Sequence, residues 1–212
     1  TVLQAGGISE LNYAIFDHFN TLSDRGWQLT GAVTFYESDV NISHCIFENN
    51  HCEDGLNLVR SNFQMEEVTV RHAPSDGFDA DFCKGTIERC KFVETGNDGM
   101  DFSGSVITII DCEVLSPGDK GISVGEEATV KVQSVHIEGA TLGVASKDLS
   151  RLTIESITLK NCETGFSAYQ KKPEYGPANI NVKDYEAIDV KRLHLIEKGS
   201  VLRLQNTVAE TI

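Results

Sequence analysis

The sequence predicts an all-β solenoid, with short strands wound into coils of about 22 residues and each coil stacked on the next. Two observations carry this prediction. Gly55, Gly77, Gly99, Gly121, Gly143 and Gly165 fall on one 22-residue ruler. After the glycines the chain alternates, as in Leu56-Asn57-Leu58, Phe78-Asp79-Ala80, Met100-Asp101-Phe102 and Ile122-Ser123-Val124. Apolar, polar, apolar at period two marks a strand with one buried face. Repeated every 22 residues, it lays parallel strands side by side along the molecule.

Residues 1–30 are the least regular. Leu11, Ile15, Phe19 and Leu22 have helical spacing, but the run from Leu11 to Phe19 echoes the run from Ile42 to Asn50. The expectation is therefore a first strand over 11–16 and a loop insertion near 19–29 that contains Trp27. Ala32 to Ser38 matches Gly55 to Ser61 at an offset of 23, with Ala32 in the glycine place. Coils then run over 40–62, 63–85, 86–105, 106–128, 129–150 and 151–170. Each holds a first run such as Val130-x-Val132, a second such as Cys90-x-Phe92, and the run after the glycine.

The glycines are expected to supply φ > 0 in a tight turn before each strand. Asp54, Asp76 and Asp98, just before them, read as caps of those turns. Cys45, Cys90 and Cys112 share a column with Val68, Val135 and Ile157 and read as buried thiols. No Cys-x-x-Cys pair of metal type occurs. Lys171 to Pro177 breaks the rhythm and reads as an inserted loop over 171–178. Gly199 lies 34 residues after Gly165, which implies one coil plus a 12-residue insertion. Strand-like runs resume at Ile180, Ile188 and Val201. The chain shows no cap, and an open β-stack has unpaired edges. Residues 1–212 are expected to form a single domain of a longer chain, with further domains or a partner covering an open end.

Bulk properties narrow the function. No run of about 18 apolar residues exists to span a membrane. There is no signal peptide and no starting Met, so Thr1 is expected to begin a processed or trimmed chain. A net charge of -14 disfavours nucleic acid and anionic lipid as partners.

A 22-residue period with three short strands per coil resembles the right-handed parallel β-helix, the pectate-lyase-like superfamily. The resemblance covers about residues 31–205 and rests on the ladder pattern. A leucine-rich repeat is mimicked by Leu152-x-Ile154-x-x-Ile157-x-Leu159, but no Asn follows at the fixed place and no helical run fills the rest. The resemblance implies an extracellular or cell-surface protein of bacterial or phage type (the periplasm included), with a polysaccharide as partner. Signatures of particular families are incomplete. The Asn-x-Asp, Asp-Asp and Gly-His-Gly set of polygalacturonases, the Asp-Pro-His-Asp of alginate epimerases and a pectate-lyase-like arginine are all missing.

The chemistry-bearing residues gather after the glycines. Asp79 and Asp101 occupy the polar strand position in consecutive coils, with Asp81 two residues beyond Asp79. Aspartate is disfavoured within strands, and like charges one coil apart, about 4.8 Å, raise a pKa or recruit a cation. These three are the candidate catalytic set, able to act as acid and base. Asp76, Asp98, Lys120, Ser123 and Lys147 are the candidate substrate-binding residues. Lys120 takes the aspartate place of its coil, and Lys147 takes that of Asp81 three coils on. Arg60 and Lys84 read as the far end of the strip, with Glu126 and Asp148 nearby. Lys120, Lys147, His51 and His72 are candidate bases for a lyase or epimerase. No cofactor is required by the sequence; calcium is the one the acids could hold. The readings are a polysaccharide lyase, hydrolase or epimerase, or a non-catalytic surface or adhesion module that binds calcium or sugar. The third is a purely architectural role for the Asp-Gly steps.

Overall fold

The computed structural model describes residues 1–24, 26–205 and 207–211. The chain is a parallel β-solenoid. The strands after the glycines form one nine-stranded sheet, including Gly31–Tyr36, Asp54–Val59, Phe78–Asp81, Met100–Ser103, Lys120–Gly125, Leu142–Lys147 and Thr164–Tyr169. The first and second runs of each coil belong to a sixteen-stranded sheet, and they fuse in the ten-residue strand Arg151–Lys160. Registers follow the sequence ruler: Asn57 pairs with Asp79, Asp79 with Asp101 and Asp101 with Ser123. Leu11 pairs with Ile42 and Ile15 with Ile46, although two short strands, Ser9–Asn12 and Ile15–Asp17, replace the single one expected over 11–16.

The core is a set of stacked columns. Leu56, Phe78, Met100, Ile122, Val144 and Phe166 form one, and all are fully buried. Burying an aliphatic or aromatic side chain contributes roughly 1.5–3 kcal/mol, and each coil adds several. Cys45, Cys90 and Cys112 lie buried and reduced in the expected column. The Cys90 and Cys112 sulfurs accept the N–H of Val68 and Cys90, at 3.4 Å each.

The glycine ladder has a different cause from the one expected. None of its six members has positive φ. A Cβ at Gly77 would sit 2.6 Å from the carbonyl oxygen of Gly99, and one at Gly121 2.6 Å from that of Gly143. The ladder is glycine because the coils touch there, backbone against backbone. The left-handed corners fall elsewhere and are mostly not glycine. Glu37, Arg60 and Phe82 form one corner column, His44, Glu67, Arg89 and Asp111 a second, and Asn49, His72, Glu94 and Ser116 a third. Each corner residue turns its side chain outward and is followed by a small or compact buried residue. In the first column these are Ser38, Ser61 and Cys83, with Ser105 in the next coil. Ser105 Oγ accepts the Cys83 N–H at 2.8 Å and lies 2.9 Å from the Ala80 carbonyl, so polar atoms inside the core are paired coil to coil.

A non-glycine residue at φ > 0 costs roughly 1–2 kcal/mol, of which glycine's larger unfolded entropy returns part. Asp111 is exposed at φ 50. Asp111→Gly is therefore expected to raise stability by about 0.5–1 kcal/mol in urea titration.

Two further expectations change. Thr164 pairs with Arg192 and Leu152 with Ile180, so the step across the 171–178 loop is 28 residues, six more than a coil rather than twelve. Leu193, whose neighbour Arg192 pairs with Thr164, takes the next glycine place, and Gly199 instead makes a turn at φ +100. The C-terminal edge is also not bare. Thr207–Val208 folds back antiparallel on Arg203 and Leu204, and Ala209 packs on the core.

Candidate functional site

The floor of the site is the column Asn57, Asp79, Asp101 and Ser123, one residue per coil. The alternation that buries Phe78 and Ala80 turns Asp79 and Asp81 to the other face. Asn57 Nδ2 donates to Asp79 Oδ2 at 3.1 Å. Burial first, then the charges of Asp81, Asp54, Asp101 and Asp76, push the Asp79 carboxyl up to about 9. It therefore holds its proton at neutral pH. Burial and the charges of Glu126 and Asp101 also raise Asp81, against the pull of Lys172 and Arg60.

The residues before the glycines do not cap their own turns. Asp76 Oδ1 accepts the N–H of Asp98 and the side-chain amide of Asn97, both at 2.8 Å. Asp98 Oδ1 accepts the Lys120 N–H at 3.1 Å and its Nζ at 3.2 Å. Asp76 and Asp98 thus hold the backbone of the next coil, because the parallel stack places that N–H beside them, whereas the hydrogen-bond partner of Asp54 is Thr30 of the preceding coil. Burial raises Asp54 to about 7 and Asp98 to about 6, with Lys120 opposing the second shift. Burial works against the Lys120 ammonium, but the hydrogen bond to Asp119 and the charge of Asp98 prevail and raise it.

Lys147 shares its column with Asp81, Ser103 and Gly125. Its side chain runs back across Gly125, where a Cβ would stand 3.3 Å from its Cε. Its Nζ thereby reaches to 3.7 Å from Asp101 Oδ1. Sequence register alone placed Lys147 two coils from that partner; the missing side chain at Gly125 is the signal that it could lean over.

Two contributors were not legible in the sequence. Tyr169 follows Lys147 in the column; burial raises its phenol, and the charges acting on it are those of Lys120, Asp119, Asp98 and Asp148. The 171–178 loop folds onto the preceding coils. Asp148 Oδ1 accepts the N–H groups of Lys171 and Lys172 at 2.6 and 2.8 Å, and Lys172 Nζ pairs with Glu126. Removing the carboxylate in Asp148→Ala is expected to cost roughly 1–3 kcal/mol. Faster hydrogen exchange of the Lys171 and Lys172 amides would report it.

Other candidates lie elsewhere. Lys84 opens the strand Lys84–Glu88 and lines a separate groove of about 390 Å³ with Gln64, Thr86 and Thr108. His72 sits in a corner column between Asn49 at 2.8 Å and Glu94 at 3.3 Å, and His51 pairs with Asn20 beside His18. Among the described residues no three His, Cys, Asp or Glu side chains are disposed to hold a metal ion.

The arrangement is thus a rigid polar strip with a protonated acid, neighbouring carboxylates and two lysines in ion pairs. No helix among the described residues is long and apolar enough to cross a membrane. No curated protein and no solved structure matches the chain. The family model described as right handed beta helix region matches residues 54–208, which span the whole acidic strip. With its coils, registers and glycine ladder in agreement, the chain belongs to the right-handed β-helix family.

Proposed function

We propose that this β-helix domain engages a polysaccharide along the strip from Asp79 to Lys147 and hydrolyses a glycosidic bond there. The observation that carries the reading is the Asp79 carboxyl, raised to about 9 among other aspartates on a rigid sheet. Such a group can give a proton to a leaving oxygen at neutral pH. Asp81, on the same strand face, is the base that activates water. Alternate residues of a strand are about 6–7 Å apart, which suits inversion at the anomeric carbon, where roughly 6.5–9.5 Å is used. Asp101, paired with Lys147, holds the sugar beside them, and Lys120, Ser123, Asp76 and Asp98 shape the adjoining surface. A lyase or epimerase needs a cation for a uronate carboxylate. Here Lys120, Lys147 and Lys172 are already engaged by Asp98 and Asp119, Asp101 and Glu126.

A polymer too large to enter a cell places the domain outside the cytoplasm, in the medium or on the cell surface. The second reading, a non-catalytic surface module, is favoured by Asp76 and Asp98, whose oxygens serve the next coil. Reducing-sugar release and product anomer by NMR on neutral and charged glycans decide between them. Inverted product that disappears in Asp79→Asn supports hydrolysis, unsaturated product replaces it with a lyase, and binding without cleavage leaves the module.

A further inference from the structure

We infer that the outward face of the first-run strands is a second binding surface, which takes an acidic polysaccharide bearing carboxylate or sulfate groups. This face belongs to the sixteen-stranded sheet and the acidic strip to the nine-stranded one, so the inference does not rest on cleavage at the strip. Seven strands in register, from Asn62–Glu66 to Val201–Leu204, turn their first and third residues outward. Those fourteen positions hold Lys84, Lys131, Arg151, Arg203 and no carboxylate, in a chain with 32 acids and 18 cations. The other ten are four threonines, four amides and two valines. Among the described residues none of the four cations has an ion-pair partner, whereas Lys120, Lys147 and Lys172 around the strip each have one. The next outward column carries Glu66, Glu88 and Glu155, which Arg89 and Lys183 already engage. Asp39, which accepts the Asn62 N–H at 2.7 Å, ends the face toward the first coils.

Spacing and chemistry choose the ligand. Lys84 and Arg151 stand three strands apart in one column, and Lys131 and Arg203 three apart in the other, about 14 Å in each case. Lys131 and Arg151 lie diagonally on neighbouring strands and join the two pairs. Between the cations stand hydroxyls and amides, Thr86, Thr108, Thr153 and Asn181 among them, which can serve sugar hydroxyls. Lys84 lines the groove of about 390 Å³ and Arg203 one of about 530 Å³, so the face is hollowed toward both ends. The two arginines add a planar fork that fits an oxyanion. A nucleic acid brings denser charge and needs aromatic platforms for its bases, and none of the fourteen residues is aromatic. An acidic polysaccharide brings spaced anions with hydroxyls between them, the complement of this face. The net charge of -14 does not oppose contact, because charges act over only about 8 Å at physiological salt and the nearest ones here are positive.

The test is calorimetric titration of the full chain at about pH 7 with oligosaccharides of matched length: oligogalacturonate, a sulfated galactan and uncharged dextran. At least one acidic oligomer is expected to bind at least about tenfold tighter than dextran, and which one does so tells carboxylate from sulfate. That affinity should fall between about 0.02 and 0.2 M salt. Lys131→Gln combined with Arg151→Gln should lower it about tenfold while thermal unfolding stays unchanged, because neither side chain has an ion pair to lose. No binding of either acidic oligomer, dextran binding as tightly as both, or a double variant that binds like the wild type overturns the inference. So does tighter binding of an oligothymidylate or of anionic phospholipid vesicles, which would give the face to a nucleic acid or a membrane. None of these results touches cleavage at the strip, which stands or falls with Asp79→Asn.

Discussion

Asp79→Asn is expected to lower kcat for glycan hydrolysis by about 10²–10⁴ and, in the same molecule, to raise stability at neutral pH. The two effects have one origin. In the folded chain Asp79 is pushed up to about 9, while unfolded aspartate titrates near 4. Between those values the folded state holds a proton that the unfolded state has released. Stability therefore falls as pH rises through the window from about 4 to about 9. Asp54 and Asp98 act in the same direction over narrower windows, up to about 7 and about 6. Asparagine cannot ionise, and its amide oxygen can still accept from Asn57 Nδ2. After discounting for solvent screening, the wild-type chain should lose roughly 1–2 kcal/mol between about pH 5 and pH 8 that the variant keeps. Urea titration across that range reads it; a steeper fall in the variant would place the proton on another group. Full glycan cleavage by the variant would remove Asp79 as the acid.

The largest loss of stability is expected at a glycine outside the main ladder. A Cβ on Gly96 would lie 1.9 Å from the carbonyl oxygen of Pro74 and 2.6 Å from its carbon. Both are backbone atoms, so no rotamer change relieves the clash, and the coils must part. Gly96→Ala should cost at least about 3 kcal/mol. The damage should spread to the site, because Asn97 and Asp98 follow directly and both donate to Asp76. Thermal unfolding measures the first effect. Unchanged melting would mean that the coils separate there without resistance.

These two residues show what the sequence carried. The 22-residue step gave the parallel register, and with it the adjacency of Asp79 and Asp101, because stacking is a periodic property. It also grouped the reduced cysteines correctly by column. Periodicity carries no steric information, however. Gly77 and Gly121 are explained not by a turn but by the close approach of the next coil's backbone and of the side chains of Thr95 and Ile137. The corners were invisible because Arg89, Glu94 and Asp111 turn outward, where any side chain is tolerated and no shared chemistry accumulates. The insertion at 171–178 is six residues and not the twelve that Gly199 implies, because Leu193 takes the glycine place of that coil. Side-chain reach was the other gap. Lys147 crossing Gly125 and Lys172 returning to Glu126 depend on trajectories that column position does not specify.

The six buried thiols have a consequence beyond packing. Cys45 and Cys52 lie toward the first coils, Cys83, Cys90 and Cys112 in the middle, and Cys162 toward the last, all reduced and shielded. In a solenoid each coil contacts only its neighbours, so opening can begin at an end and travel. Alkylating reagents reach a sulfur only when its own coil parts. The chain thus carries graduated markers along its axis, and the order in which they react traces how far fraying has advanced.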